Sequence, residues 1–458
     1  MTGFDFTGAD GGFRVGIDGL NLAMQRGTGV ATYARTLART VSEIGRPPDL
    51  VFGLPVHPRA PRDLRETLFF AELGRDEPPA EGEGAAAKRR ERLLVSPWPR
   101  RLVEVPVEGR VRAEAFFDRL PSFSRLYSFG SLWSVAARHF RRYGRFLTVT
   151  MPDPPAIMHW TYPLPIRLAG AANIYTIHDL VPLRLPHTSL ENKRLHDRLL
   201  RGCVSGGARI CTVSEASRRD IVALLGADPG QVVNCYQSID PVPVIAPEDL
   251  AGRLRALFDL EAQGYFLYFG AIEPKKNVGR LIEAYLASEV ATPLVIVGGR
   301  AWRSENELRL LGSSTAQGLS GAARIRKLDY LPRRMLDLLV AGARGVLFPS
   351  LYEGFGLPAV EALARGVPVM TSTEGSLPEV VGSAALLIDP YDVDAMVAAI
   401  RRLDTDAALR RSLATAGPAQ AACFAPARFR ANLSGLYRGL APATGVVARP
   451  SPSGTAIA

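Results

Sequence analysis

The sequence predicts an α/β protein of two Rossmann-like, doubly wound parallel-sheet domains facing each other across a cleft. At 458 residues the chain exceeds what one hydrophobic core ordinarily supports, so two domains of about 200 residues are expected. Short apolar runs alternate with helical patterns in two separate series, as parallel strands joined by crossover helices require. Between the series lies the proline-rich run Pro241 to Pro247 (PVPVIAP), which reads as a linker.

Residues 1–12, rich in glycine and aspartate, are expected to be flexible. An N-terminal domain then spans 13–245. Phe13 to Asp18 is its first buried strand, Gly19 to Gly29 a loop, and Val30 to Ile44 a helix with apolar spacing near 3.6. Val51 to Val56 is a second strand. From 58 to 150 the alternation fades into an insertion that contains the low-complexity stretch Glu77 to Ala87. Ala156 to Trp160 and Asn173 to His178 resume the strands, each an apolar run stopped by polar or proline-containing loops. Leu190 to Gly202 is a helix, Ala208 to Val213 a strand, and Ser214 caps a helix ending at Leu225. Gln231 to Tyr236 closes the first series.

The second domain, 246–425, repeats the pattern. Its strands are Tyr265 to Phe269, Leu294 to Val297, Ile325 to Tyr330, Gly345 to Phe348, Val367 to Thr371 and Ala385 to Ile388. Its helices are Val278 to Leu286, Ser304 to Ser313, Arg333 to Ala343, Pro358 to Arg365 and Asp392 to Leu403. Residues 426–440 form a last helix, and 441–458 read as a disordered tail.

Hydrophobic residues at 47% and charged residues at 22% fit an ordinary globular protein and exclude a disordered chain. No charge-free apolar run reaches the ~18 residues of a spanning helix. The start of the chain carries Asp5 and Asp10 without a basic lead, unlike a secretory signal. Cys203, Cys211, Cys235 and Cys423 lack paired metal spacing and read as small buried residues of a reducing compartment. A cytoplasmic protein is expected.

The net charge of +10 is concentrated. Between Lys88 and Phe146 lie fourteen Lys/Arg against five Asp/Glu, interleaved with Trp98, Phe116, Phe117, Phe123, Tyr127, Phe129, Trp133, Phe140, Tyr143 and Phe146. Such a mixture has three readings: single-stranded nucleic-acid binding, a basic face on an anionic membrane, or an insertion whose aromatics tuck into the first domain. No nucleic-acid module accompanies the charge, so no nucleic-acid partner is expected.

The richest stretch is Leu347 to Met370, LFPSLYEGFGLPAVEALARGVPVM. It runs from an apolar strand into a glycine-rich loop carrying Glu353, then into a helix with Pro358 near its start and Glu361 in its first turns. Proline suits a helix start because its missing N–H would be unpaired there. Glycines let a ligand approach the backbone, and the exposed N–H groups of the helix start attract anions and hydroxyl oxygens. A carboxylate accepting two hydroxyls is a common grip on ribose. Two carboxylates flanking a helix N-terminus thus suit a sugar nucleotide. A lone glutamate beside a glycine would more often be a solvated acid; the whole run is more specific.

Glu353-Gly354-Phe355-Gly356-Leu357-Pro358-Ala359-Val360-Glu361-Ala362 resembles the E-G-F-G-L-P-x-x-E-A signature of the retaining glycosyltransferases of family 4, which have the GT-B fold. Gly270-Ala271-Ile272-Glu273-Pro274-Lys275-Lys276-Asn277 and His178-Asp179-Leu180-Val181-Pro182 are similar to blocks of bacterial mannosyltransferase-like members. The resemblance covers about 13–56 and 156–440. It implies that Glu353 contacts the transferred sugar, that Glu361 binds the ribose, and that the backbone N–H groups of Phe355, Gly356 and Leu357 cradle the sugar. It implies that Lys276, with Lys275 nearby, stabilises the leaving diphosphate, and that His178 approaches the donor sugar. The Gly27-Thr28-Gly29 loop, including Gly29, would face the donor phosphate and acceptor, and 426–440 would cross back onto the first domain. Ala271 departs from the family, which carries an arginine there.

Asp392-Val393-Asp394 has the look of a metal motif of another glycosyltransferase fold, but it opens a helix, where acids cap and complement the dipole. No metal and no cofactor is expected beyond the nucleotide-sugar co-substrate. The reading is a retaining hexosyltransferase moving mannose from GDP-mannose to a glycan or lipid-linked acceptor in cell-surface polysaccharide synthesis, peripheral on the inner membrane face. The alternatives are a nucleotide-sugar epimerase or hydrolase of the same fold, and a non-catalytic scaffold of a polysaccharide machine.

Overall fold

A computed structural model describes residues 14–24, 29–75, 95–112, 116, 119–190, 192–243, 245–299, 303–312 and 324–440. The expectations for 1–12, Gly27, Thr28, Glu77 to Ala87, Lys88 to Arg92, Phe117 and the tail lie outside the described residues.

The first series supplies eleven described strands: β1 (Val15–Asp18), β2 (Asp49–Phe52), β3 (Arg100–Arg101), β4 (Val103–Glu104), β5 (Arg125–Ser128), β6 (Leu147–Thr150), β7 (Ile157–Trp160), β8 (Ile166–Leu168), β9 (Ala172–Thr176), β10 (Arg209–Thr212) and β11 (Val232–Asn234). Eight form one sheet in the order β11-β10-β9-β7-β1-β2-β5-β4. Every pairing in it is parallel except that of the edge strand β4 with β5. Strands β3, β6 and β8 make a small separate sheet. The second series gives β12 (Phe266–Phe269), β13 (Leu294–Val297), β14 (Ile325–Leu328), β15 (Gly345–Phe348), β16 (Val369–Ser372) and β17 (Leu386–Ile388), all parallel, in the order β14-β13-β12-β15-β16-β17. Strands such as FLYF and LVIV are buried along their whole length because helices cover both faces. Strand order reverses between β1 and β7 in one lobe and between β12 and β15 in the other, and ligands of such sheets sit beyond the strand ends at these points.

The described parts of the span 58–150, expected as an insertion, pack into the first lobe. Strand β5 extends the main sheet from β2, and the helix Leu132–Tyr143 buries Leu132, Val135, Ala136 and Phe140 while Arg141 and Arg142 in its last turn stay exposed. Tyr127 and Phe140 lie in the core, and Phe116, Phe123, Phe129, Trp133 and Phe146 pack against it. Trp98 alone of the described large aromatics in this span is strongly exposed. These aromatics are thus core material, carried by strand β5, the helix Leu132–Tyr143 and the segments between elements, with arginines interleaved among them. Arg125, for example, starts β5 and reaches the buried Asp49 at 2.6 Å.

Cys423 is exposed, against expectation, while the other three cysteines are buried. In place of one helix from Ser304, two four-residue helices occur, Ser304–Glu307 and Arg309–Gly312, and the helix Ala407–Ala421 was not foreseen. The last helix, Pro426–Arg438, packs on the first, Gly29–Ile44, inserting Phe429, Leu433 and Tyr437. Tyr437 Oη meets His159 Nδ1 at 2.8 Å inside the first lobe. Among the described residues no helix is long and apolar enough to cross a membrane.

Candidate active site

The loops after β12 and β15 meet at the strand-order reversal of the second lobe. After β12 the chain passes through Gly270 at φ 144 and a single turn, Pro274–Lys276, ended by Asn277 in the left-handed region at φ 61. Asparagine tolerates that conformation. Its buried Nδ2 also donates to Pro349 O (3.1 Å) and Pro390 O (2.7 Å), fastening this turn to the loops after β15 and β17. Lys276 is thereby aimed at Glu353, with Nζ 2.6 Å from Oε1 and 5.1 Å from the centre of the Phe348 ring. Both side chains are largely buried, at 13% and 9% exposure, so the pair replaces lost hydration. Burial alone would raise the Glu353 pKa, but the Lys276 and Lys275 ammonium groups outweigh it and hold the carboxyl below its ordinary range. Lys275 is raised: burial opposes its charge, and Asp179, Glu353 and Glu273 more than restore it. Its nearest acid is Glu273, at 3.6 Å.

Glycines shape the Glu353 loop by close approach. A Cβ on Gly354 would fall 2.5 Å from His178 O, and one on Gly375 2.7 Å from Glu353 O. Gly356 caps the helix Leu357–Ala364 at φ 92, against Leu377. Ser376 N and Oγ bind Glu353 O at 3.1 and 3.0 Å, and Leu351 N binds Lys275 O at 2.8 Å. The amides of Phe355 and Gly356 have no acceptor among the described residues, leaving donors at a helix start. The Phe355 ring is buried edge-on to Phe424 at 5.1 Å, so only its backbone can serve a ligand. Leu357 approaches Gly29 of the first lobe, Cδ1 lying 3.6 Å from where a glycine Cβ would stand. Glu361 lies within the same helix but is ion-paired with Arg333 at 2.7 Å. Arg333 also holds Asp337, at 3.0 Å.

His178 does not end a strand; β9 stops at Thr176 and His178 sits in the loop beyond. Its Nε2 is 2.9 Å from Thr161 O. A carbonyl only accepts, so Nε2 carries the proton and Nδ1 is the bare nitrogen of the neutral ring. Thr161 is itself fixed by the buried Asp18, which accepts from Thr161 N and Oγ1. Burial pushes Asp18 up to about 6, against those hydrogen bonds. Tyr33 meets the His178 ring edge-on at 4.8 Å, and Tyr162 stacks at 6.4 Å. Burial lowers the His178 pKa, which keeps the imidazole neutral at pH 7.

Between the lobes opens a cavity of about 300 Å³, lined among others by Val30, His178, Asp179, His196, Glu273 and Lys275. The structure therefore brings Lys275, Lys276, Glu353 and His178 together at one cleft, with Gly29 at its edge. Several residues here were not anticipated. Asn277 sets the lysine turn, Asp179 and Glu273 balance Lys275, and three contacts tie lobe to lobe. Tyr352 Oη bonds the Asp220 carboxylate, which Arg184 also holds. Glu379 accepts from Glu215 N at 2.9 Å, at the start of the helix Glu215–Leu225. Ser217 Oγ, which donates to His178 O at 2.8 Å within the first lobe, also lies 3.5 Å from Gly354 O of the second. Their partners are over a hundred residues apart in most cases, and only the adjacency of Tyr352 to Glu353 hinted at a role. Ala271 offers no side-chain charge, its carbonyl accepting from Tyr268 Oη at 2.8 Å. Asp392 caps the helix Val393–Thr405 through Ala395 N at 2.9 Å.

Two facing Rossmann-like sheets with a lysine–glutamate pair at the cleft define the GT-B class of glycosyltransferases. A family profile described as "Glycosyl transferases group 1" matches residues 256–420. O-antigen chain mannosyltransferase B of Escherichia coli is 36% identical over 268 residues, 57% of this chain and 68% of that protein. The serotype-specific mannosyltransferase WbdA of Escherichia coli is 25% identical over 332 residues, which are 65% of this chain but only 39% of WbdA. The MMP alpha-(1->4)-mannosyltransferase of Mycolicibacterium hassiacum is 34% identical over 214 residues, 44% of this chain and 47% of that one. Among solved structures, sucrose-phosphate synthase from Thermosynechococcus elongatus superposes with a TM-score of 0.63 at 17% identity, covering 93% of this chain and 99% of its own. Anabaena HepE in complex with UDP and glucose gives 0.60 at 15%, covering 93% and 100%. The chain belongs to the group 1 glycosyl transferases and is an enzyme of sugar transfer.

Proposed function

We propose that this chain transfers mannose from GDP-mannose, with retention at the anomeric carbon, to a glycan or lipid-linked acceptor in cell-surface polysaccharide synthesis. The reaction would take place on the cytoplasmic side of the membrane, with the exposed Arg142 and Arg145 facing anionic lipid. The observation that carries the reading is the largely buried Lys276–Glu353 pair at the strand-order reversal, next to Lys275, which lines the cleft together with His178. The mannosyltransferase names of several relatives support the choice of sugar.

In this reading the bond between the anomeric carbon and the diphosphate oxygen breaks as the bond to the acceptor oxygen forms. The acceptor proton passes to the departing diphosphate. Lys276 and Lys275 stabilise the charge gathering on that diphosphate, where fixed cations in a dry site act most strongly. Phe355 N and Gly356 N, at the start of the helix, and Glu353 orient the sugar hydroxyls. His178 Nδ1 accepts a hydroxyl of the same sugar, and Glu361 takes the ribose.

The test incubates the protein with a panel of nucleotide sugars and a mannose-terminated acceptor, reading products by mass spectrometry and anomeric configuration by NMR. An α-linked mannosylated product from GDP-mannose is expected. Free or epimerised sugar formed without acceptor would make the chain a hydrolase or epimerase, and no turnover with any donor would point to a scaffold.

A further inference from the structure

Many described arginines have acid partners: Arg14, Arg39, Arg125, Arg184, Arg201 and Arg344 each pair with an aspartate. One group differs. Arg141 and Arg142 in the last turn of the helix Leu132–Tyr143, Arg145 just beyond it, and Arg194 and Arg198 on the helix Lys193–Gly206 are exposed, with no carboxylate partner among the described residues. Three of them, Arg141, Arg194 and Arg198, converge on a single open cavity of about 630 Å³ completed by Asn192 and Leu195. The fold enforces this crowding of like charge. The first helix is anchored by its buried apolar face, and the Arg198 guanidinium lies 4.9 Å over the Phe140 ring of that helix. Guanidinium forks held in a concave site match phosphate oxygens, and a polyanion relieves their mutual repulsion.

The cavity is placed for use. The first turn of Lys193–Gly206 separates it from the catalytic cleft: His196, with Ser189 and Leu190 just before the helix, lines the cleft, while Asn192, Arg194 and Leu195 line the arginine cavity. Leu190 is 74% exposed at that rim. An apolar side chain offered to solvent beside guanidinium groups suits an anion that carries an apolar chain.

We propose that this cavity is a second anion site, which holds the phosphate or diphosphate group of an amphiphilic acceptor while the acceptor's hydroxyl enters the cleft. The ligand class is a phosphate or diphosphate ester with an apolar chain. The inference rests on the glycosyl-transfer reading for the word acceptor, but its test needs no turnover and so stands apart from that reading.

Binding of farnesyl diphosphate to the full chain is measured by calorimetry, beside inorganic pyrophosphate and phosphatidylglycerol vesicles. The variant R141Q/R194Q/R198Q should bind farnesyl diphosphate about tenfold more weakly or worse. K276A, which alters the donor cleft, and R253Q/R411Q, which removes two exposed arginines elsewhere, should bind like the wild type. Equal binding by the triple variant overturns the proposal, as does a loss in K276A or in the control. Pyrophosphate binding as tight as farnesyl diphosphate overturns the amphiphile. If the wild type ignores farnesyl diphosphate but binds the vesicles through these arginines, the cavity serves the bilayer and the proposal falls.

Discussion

Glu361→Ala should weaken nucleotide-sugar binding by one to two orders of magnitude, and the Arg333 contact makes the test sharper than the sequence alone allowed. Among the described residues only one Glu361 oxygen is engaged, Oε1 with Arg333 at 2.7 Å; the Arg333 side chain is 56% exposed and that of Glu361 14%. An ion pair whose cation is half open to solvent contributes about 1 kcal/mol. A ribose hydroxyl donating to the carboxylate is worth about 1.5–3 kcal/mol, or roughly 10- to 150-fold in Kd. The ribose therefore out-competes Arg333 or shares the carboxylate with it. Arg333→Ala should change affinity by no more than about fivefold, and toward tighter binding if the arginine must yield. Calorimetry with GDP-mannose and GDP on variants of unchanged circular dichroism measures both. Unchanged affinity in Glu361→Ala would refute the ribose role, and a loss in Arg333→Ala as large as that of Glu361→Ala would place the recognition on the arginine.

Lys276→Ala should lower turnover by about 10²- to 10³-fold with a much smaller loss of donor affinity, because charge on the leaving group grows mainly in the transition state; single-turnover rates beside donor Kd decide, and equal losses would mean ground-state binding. The lowered His178 pKa gives the pH dependence a sign. The unfolded chain takes up this proton first, near the ordinary value of about 6.5, so stability should be full above that pH and decline below it, and kcat/KM should break at a still lower pH. A rate that rises on acidification through pH 6 would instead require the imidazolium. Asn277→Ala should cost about 2–3 kcal/mol in denaturant unfolding of the second lobe, losing two carbonyl contacts and straining φ 61, while Asn277→Gly should cost less because glycine accepts that backbone. Equal losses in the two would show that the backbone conformation contributes nothing.

The second lobe was legible because its signals are local and long enough to be unambiguous. β13 and β15 fall on the foreseen residues, and Gly356, Leu357 and Pro358 announce their helix. The first lobe was legible only in part. β4 has two residues and β5 four, too short for alternation to stand out among arginines that serve Asp49 and Asp153 from the strand's start. The helix Ala407–Ala421 was not foreseen: it carries the helix-unfavourable pair Gly417-Pro418 near its end, and Gly417 is where the chain approaches Leu363 of another helix. The site was legible where it is made of adjacent residues, as in Lys275 with Lys276 and Glu353 to Leu357. It was illegible where it joins distant ones. Nothing near Tyr352 names Asp220, and nothing near Glu361 names Arg333, since a single sequence records composition along the chain and not proximity across it.

The final helix carries a consequence for how the protein comes into being. Tyr437 lies fully buried among first-lobe residues, hydrogen-bonded to His159 on β7, while Asn432 reaches Cys235 O just past β11. Lobes generally fold in the order in which the ribosome releases them. Here the lobe that emerges first cannot close its core until residues 426–438 have left the ribosome, after the whole second lobe. During synthesis it must wait with an open seam along Gly29–Ile44, the helix that the last one covers. A chain arrested before residue 426 would thus carry its catalytic loops intact and still lack a finished first lobe.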